Sequence, residues 1–368
     1  MPNNEQQPPK RRRQPESVSS HRRTEHKQAA KREEMHQVQA KKKRLRGCFF
    51  WFLLFFVGSL IFAGHYGYQK YQSAKKAANS IYHASKAQKV RDVESTLKEG
   101  KPIAILLLGT DTGALGRTFK GRTDTIIVAV LNPTKKKMTI VSLPRDAEVA
   151  VSGYEKYFPS KLNSAYEYGG STTAVETVQK YLNIPIDFYA TINMGGLETL
   201  IDAVGGVDVE PLLTFTYDNQ SFTKGKKTHM NGKRALAYVR MRYDDPNGDY
   251  GRQARQRQVL TQVALKGASV SNLLNQKFLS TISKQMVTDL SFNDLLLLGT
   301  KYRVATHDMK TDSLQGQSQM INGSSFEVPT TEEKQRITDL LRSALGLKSA
   351  ETGNTLSSST EIDAEESE

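Results

Sequence analysis

IAILLLGTDTG, residues 103–113, runs six apolar side chains straight into a turn of Gly, Thr and Asp. An apolar run without alternation fits a strand covered on both faces rather than one with a solvated side. Two further runs of the same kind follow, TIIVAVLN (125–132) and KMTIVSLP (137–144). Beyond them the period changes. Ala174, Val175, Val178, Tyr181 and Leu182 recur at helical spacing within 171–182. DFYATIN (187–193) reads as a strand, GLETLIDAVGG (196–206) as a helix closed by Gly205 or Gly206, and GVDVE (206–210) as a short strand. A last helix is expected over 253–268. Alternating strands and helices predict an α/β sandwich with helices on both faces of the sheet.

Outward from this body the composition changes. The 368 residues carry 52 Lys and Arg against 38 Asp and Glu, a formal net charge of +14. Much of that charge lies in residues 1–46, which hold few large apolar side chains and read as a disordered basic arm. GCFFWFLLFFVGSLIFAGHYGY (47–68) follows. Its uncharged stretch reaches the roughly 17–25 residues that a membrane-spanning helix needs. The arm is too long for the n-region of a cleaved signal peptide, and no clean small-x-small site follows, so a retained anchor is the expectation. Lys41, Lys42, Lys43, Arg44 and Arg46 abut the span, which by the positive-inside rule places the N terminus in the cytoplasm. A single pass through the cell membrane then leaves everything after the span outside. Residues 69–100 are expected as a helical stalk, 101–345 as the extracytoplasmic catalytic domain and 346–368 as a disordered acidic tail. Cys48 is the one cysteine, so the body has no disulfide, no Cys nucleophile and no Cys-ligated metal.

Polar residues gather at the strand ends, where open α/β sheets bind ligands. GTDTG (109–113) closes the first strand, GRTD (121–124) precedes the second and PRD (144–146) closes the third. If the first two strands are antiparallel neighbours, Asp111 and Asp124 share one edge. Paired carboxylates there would suit Mg²⁺ shared with phosphate oxygens, although Asp and Gly at strand ends are also ordinary turn chemistry. YVRMRYDDPNGDYGRQARQRQ (238–258) adds Arg240, Arg242, Arg252, Arg255 and Arg257 around three aspartates. An extended Tyr238–Arg242 segment would put Arg240 and Arg242 on one face. Arg252, Arg255 and Gln256 would share a helix face near its first turn, where cations are unfavourable unless an anion joins them. With Arg122 and Arg145 they could surround a phosphate, which guanidinium binds through paired hydrogen bonds. Arg257 faces elsewhere and reads as solvated. A salt-bridged surface is the alternative for the whole cluster. GTDTGALG lacks the ending of a P-loop, and His83, His229 and His307 stand apart from these motifs, so neither a nucleotide P-loop nor a His-ligated zinc centre is expected.

Taken in order, GTD, GRTDT, SLPRD, KLNSAYEYGG, ALAYVRMR and DYGRQARQRQ resemble the LytR–CpsA–Psr family from about residue 102 to 345. The resemblance implies an α/β/α sandwich around a mixed central sheet, preceded by one transmembrane helix, with a deep apolar pocket for a polyprenyl chain. It implies transfer of a phosphorylated glycan, of teichoic acid or capsule type, from an undecaprenyl-pyrophosphate-linked donor to a peptidoglycan acceptor. It puts Mg²⁺ on Asp111 and Asp124. It puts the pyrophosphate under Arg122, Arg145, Arg240, Arg242 and Arg252, with Arg255 and Gln256 close by, and Asp249 beside the site. Asp124 and Asp249 are the candidates for the base. Two other classes remain open at this point: a non-catalytic lipid-glycan binding or assembly protein, and a membrane-bound transcriptional regulator. No nucleic acid is expected as a partner, because the body would lie outside and no nucleic-acid-binding signature is seen.

Overall fold

A computed structural model describes residues 18–110, 121–243, 245–267, 269–273 and 275–353. The expectations for Asp111, for residues 1–17 of the arm and for 354–368 of the tail lie outside these residues. The chain divides into two units, 1–69 and 70–368. In the first, the described residues form the opening part of helix α1 (Val18–Ile81). Trp51, Phe55 and Phe62 stand 72%, 77% and 72% exposed there. Among the described residues, Trp51–Ile81 is the one helical stretch long and apolar enough to cross a membrane.

The second unit is built on a six-stranded sheet. Its strands are β1 (Ile103–Thr110), β2 (Thr123–Asn132), β3 (Lys137–Leu143), β4 (Phe188–Asn193), β5 (Met286–Thr288) and β6 (Asp308–Ser313), in the order β5-β4-β1-β2-β3-β6. β1 with β2, β2 with β3, and β4 with β5 are antiparallel, whereas β1 with β4 and β3 with β6 are parallel. The sheet is therefore mixed, as the resemblance implied. Successive residues of β1 supply opposite faces. Ile103 and Ile105 join a core with helices α4 (Leu197–Ala203), α5 (Gly232–Arg240) and α6 (Gly248–Gly267). Ala104, Leu106 and Leu108 join a second core with α3 (Ser164–Leu182) and the C-terminal helix Thr331–Ala344. Because both faces are covered, a strand that reads apolar throughout is the economical sequence. Each buried Ile or Leu contributes about 1.5–3 kcal/mol. GVDVE forms a strand, Val207–Val209, but it pairs with Thr228–Met230 outside the central sheet.

Of residues 69–100, expected as a helical stalk, those from Lys70 onward fall in the second unit. Ala74, Ala78 and Ile81 on the last turns of α1 belong to the first core. Downstream, Arg91 holds Asp187 at the start of β4 through Nε at 2.7 Å and Nη2 at 2.5 Å. Asp187 is fully buried and also accepts from the Ala104 amide at 2.7 Å. Lys89 bonds the Asp187 carbonyl and the Asp289 carboxylate. A buried carboxylate is costly unless it is paired and fully hydrogen-bonded, and here it is both. Helix α2 (Val93–Glu99) then leads into β1, with its Asp92 N-cap accepting from the Ser95 amide.

Candidate active site

β1 and β2 are antiparallel neighbours, so the condition set for the Asp124 edge holds. Gly109 pairs with Thr125 and Thr110 with Thr123, which leaves Asp124 as the extra residue of a bulge. Bulges re-aim a side chain and recur beside active sites. β3 ends at Leu143, and Arg145 follows at the same sheet edge. Its Nη1 donates to Asp124 Oδ1 at 2.6 Å and its Nε to Asp146 Oδ2 at 3.2 Å. Lys161 closes the other side of Asp146 at 2.9 Å. Burial opposes the charge of Arg145, but the bond to Asp124 and the fields of Asp124, Asp146 and Asp249 outweigh it and raise its pKa.

α6 supplies the facing wall. It begins at Gly248, five residues earlier than expected, so Asp249 and not an arginine occupies its first turn. That placement suits the helix dipole and removes the expected conflict of cations there. Asp249, Arg252, Gln253 and Gln256 are spaced to share a face. Asp249 pairs with Arg252 through one oxygen and accepts from Gln253 Nε2 at 2.9 Å through the other. Gln256 Oε1 accepts from Thr125 Oγ1 at 2.9 Å, which ties α6 to β2 next to Asp124.

Arg252 is the electrostatic centre. It is only 9% exposed, and its Nε is buried without a hydrogen-bond partner among the described residues. Burial lowers its pKa against the pull of Asp249, and repulsion from Arg145 and Arg242 lowers it further. Native structures rarely leave a buried donor of this kind unmatched. Three guanidiniums in mutual repulsion, one with an unused buried donor, form a site suited to an anion with several oxygens.

The remaining predicted residues divide. Arg242 is exposed, and its field reaches Arg252. Arg240 is exposed and ends α5; the segment before it is helical, not extended as expected. Asn231 caps that helix by accepting from the Arg234 amide at 3.0 Å, a signal that the Val/Arg/Met/Arg alternation masked. Arg122 lies at the margin and donates to Glu167 Oε2 at 2.6 Å. Arg255 does not join this face. It is 1% exposed, pairs with buried Asp245, and donates to the carbonyls of Tyr238 at 3.0 Å and Met241 at 2.6 Å. Arg257 is not solvated either: it reaches Ser142 Oγ at 2.7 Å and the Asp312 carbonyl at 3.2 Å. Asp146, Lys161 and Glu167 were not singled out from the sequence, although they sit inside the SLPRD and KLNSAYEYGG stretches. Only the fold shows that those two stretches meet.

The profile of the LytR_cpsA_psr family matches residues 66–343. A protein of Enterococcus faecalis named polyisoprenyl-teichoic acid–peptidoglycan teichoic acid transferase TagU is 44% identical over 283 residues, 77% of this chain and 92% of its own. The crystal structure of B. subtilis TagU is 31% identical with a TM-score of 0.56, and the match covers 67% of this chain and 98% of that one. A structure described as TagT bound to LIIa-WTA is 25% identical with a TM-score of 0.57, over 72% of this chain and 100% of that one.

Proposed function

The chain belongs to the LytR–CpsA–Psr family, and from that premise we propose that it is a membrane-anchored phosphotransferase that moves a teichoic-acid-type phosphoglycan from undecaprenyl pyrophosphate to peptidoglycan. The coarser part of this reading, transfer of a cell-wall polymer, follows from relatives named as teichoic acid transferases. The finer part rests on one observation: buried Arg252, with its unmatched Nε, set in the fields of Arg145 and Arg242 at the strand edge that bears Asp124.

In the proposed reaction an acceptor hydroxyl oxygen bonds to the glycan-bearing phosphorus. The bond from that phosphorus to the bridging oxygen breaks, undecaprenyl phosphate leaves, and the hydroxyl gives up its proton. Such a transfer needs in-line alignment and neutralisation of charge on the leaving phosphate, with no covalent intermediate on the protein. Arg252 and Arg242 take the leaving phosphate, and Asp249 with Gln253 fixes the rotamer of Arg252. Arg145 orients Asp124. Arg255 braces the α5–α6 junction on which these residues stand. Asp124 or Asp249 would accept the proton.

The donor chemistry is compatible with Mg²⁺. Asp124 is partly exposed, and its one described hydrogen-bond partner is Arg145, so the carboxylate retains capacity for a hard cation. Together with Asp111 it would hold the ion, whose chemistry there is charge neutralisation on phosphate oxygens.

The test uses the full chain in detergent with a lipid-pyrophosphate-linked glycan and peptidoglycan fragments, with Mg²⁺ or chelator. Metal-dependent transfer lost in both Asp124→Ala and Arg145→Ala would support the reading. Tight donor binding without turnover under every condition would favour a binding or assembly protein instead.

A further inference from the structure

On the opposite face of the sheet from α6, three tyrosines form a cluster that the proposed reaction does not use. Tyr154 and Tyr168 have ring centroids 5.2 Å apart, Tyr157 and Tyr168 5.6 Å, and Tyr154 and Tyr157 stack at 6.5 Å. Tyr154 Oη donates to the Tyr168 carbonyl at 3.2 Å, which locks the inner pair. The outer ring is left open: Tyr157 is 51% exposed, with Lys156 Nζ 5.0 Å from its centroid. Tyr168 follows Glu167, the carboxylate that holds Arg122 at 2.6 Å. The cluster is thus joined to the margin of the candidate site through one ion pair.

Tyr154 and Tyr168 pack partly buried on the second core, whereas Tyr157 presents aromatic surface to solvent beside the exposed charges of Glu155 and Lys156. A pyranose has that same mixed character. Its axial C–H face packs on an aromatic ring, and its hydroxyl and amide groups reach charged or polar neighbours at the rim. Position selects which glycan. In-line transfer puts the attacking and leaving oxygens on opposite sides of phosphorus. With the leaving phosphate held by Arg252 and Arg242, the attacking sugar enters from the α3 side, where Glu167 and Tyr168 stand near the start of α3.

We propose that Tyr154, Tyr157 and Tyr168 form an acceptor subsite that holds the glycan strand of peptidoglycan, an N-acetylated hexosamine polymer, against Arg122 and Glu167. The proposal rests on the transferase reading for its choice of acceptor, but glycan binding can be read without donor or metal. The probe is chitotetraose, a tetramer of β-1,4-linked N-acetylglucosamine, titrated into the full chain in detergent and followed by saturation-transfer NMR. Tyr157→Ala, at a half-exposed position, should weaken binding by about five- to tenfold and Tyr157→Phe should restore it. In transfer assays the same Tyr157→Ala chain should show a raised acceptor KM, with kcat and donor KM unchanged. Equal chitotetraose affinity and equal acceptor KM in Tyr157→Ala would overturn the subsite while leaving the transferase intact. A raised donor KM with an unchanged acceptor KM would overturn the choice of acceptor. Binding lost in Tyr157→Ala from a chain that transfers nothing would keep the subsite and remove the transferase.

Discussion

On α6, Arg255 directs its described donors inward, to Asp245 and to the carbonyl oxygens of Tyr238 and Met241. Arg252, three residues earlier, keeps a buried donor unused and is repelled by Arg145 and Arg242. The two arginines should therefore fail differently. Arg255→Ala leaves buried Asp245 without its cation, a loss of about 3–5 kcal/mol that lowers the melting temperature whatever the substrate. Arg252→Ala removes a costly buried cation and its repulsions but also its pair with Asp249, so the effects offset and melting should move by no more than about 2 °C. Transfer should fall roughly 10²–10³-fold, the usual cost of one group that stabilises developing charge. Calorimetry and a transfer assay on the pair settle the assignment. If Arg255→Ala melts like the parent chain and only loses activity, Arg255 belongs to the anion site after all.

At the scale of elements, two contacts explain short motifs that looked like loose turn chemistry. Gly251, in DYGRQ, lets the Asp245 carboxylate lie against the α6 backbone; a Cβ there would collide with the Asp245 carboxylate. Gly251→Ala should push Asp245 off Arg255 and so resemble Arg255→Ala in its melting loss, which scanning calorimetry would show. Gly170, in KLNSAYEYGG, takes φ 73° inside α3, where an L-residue is strained. It sets the first turn, with Glu167 and Tyr168, at an angle to the rest of the helix. The C-terminal helix is clamped to β6 by Arg336, whose Nη1 reaches Asp312 at 2.8 Å and whose Nε reaches Glu333 at 2.7 Å. Arg336 holds the Glu333 carboxyl below its ordinary pKa. Burial opposes the charge of Asp312, but the Arg336 bond prevails and lowers its pKa too. The stability these groups add is complete above the unfolded carboxylate range near pH 4 and is lost as pH falls through the lower folded values. Arg336→Gln should lower stability at pH 7 by less than about 1 kcal/mol per pair, because the pair is solvent-screened. The gap from the parent chain should narrow as pH falls below the unfolded carboxylate range and close once the lowered folded values have been passed. Equal melting curves at pH 7 would mean that the clamp adds nothing. The three apolar strands were legible because both faces of β1, β2 and β3 are covered, so composition alone marks them. Short strands such as Met286–Thr288 and exposed ones such as β6 lack that mark. Arg145 with Asp124 and Arg122 with Glu167 were out of reach as pairs, since strand order and not spacing brings them together. Arg240 was misread because four alternating residues imitate a strand, whereas Asn231 and the apolar stripe behind it set a helix.

For the whole molecule, function depends on which side of the membrane carries the arginine site. The first unit bears a row of exposed Trp, Phe and Leu side chains on its helix, an arrangement that water does not tolerate and lipid does. Basic residues precede that row in the sequence, from Lys41 to Arg46, and few follow it closely. The positive-inside bias then predicts a cytoplasmic arm and an exterior body, the side on which a peptidoglycan acceptor is found. The sequence supplies its own probe, because Cys48 is the only thiol and lies at the basic end of the span. In intact cells a membrane-impermeant maleimide should leave Cys48 unlabelled. In a Cys48→Ser chain carrying Lys224→Cys, at an exposed position of the body, the new thiol should label fully without permeabilisation. The reverse pattern, with the body thiol protected until the membrane is opened, would put the arginine site in the cytoplasm. The transferase would then be out of reach of its acceptor, and a regulatory role facing nucleic acid would have to be considered in its place. Labelling of both thiols in intact cells would instead mean that Cys48 lies outside as well, so that the arm does not anchor on the inner side. Protection of Cys48 together with exposure of residue 224 is the one result that joins the charge of the arm, the apolar helix and the anion site in a single working topology.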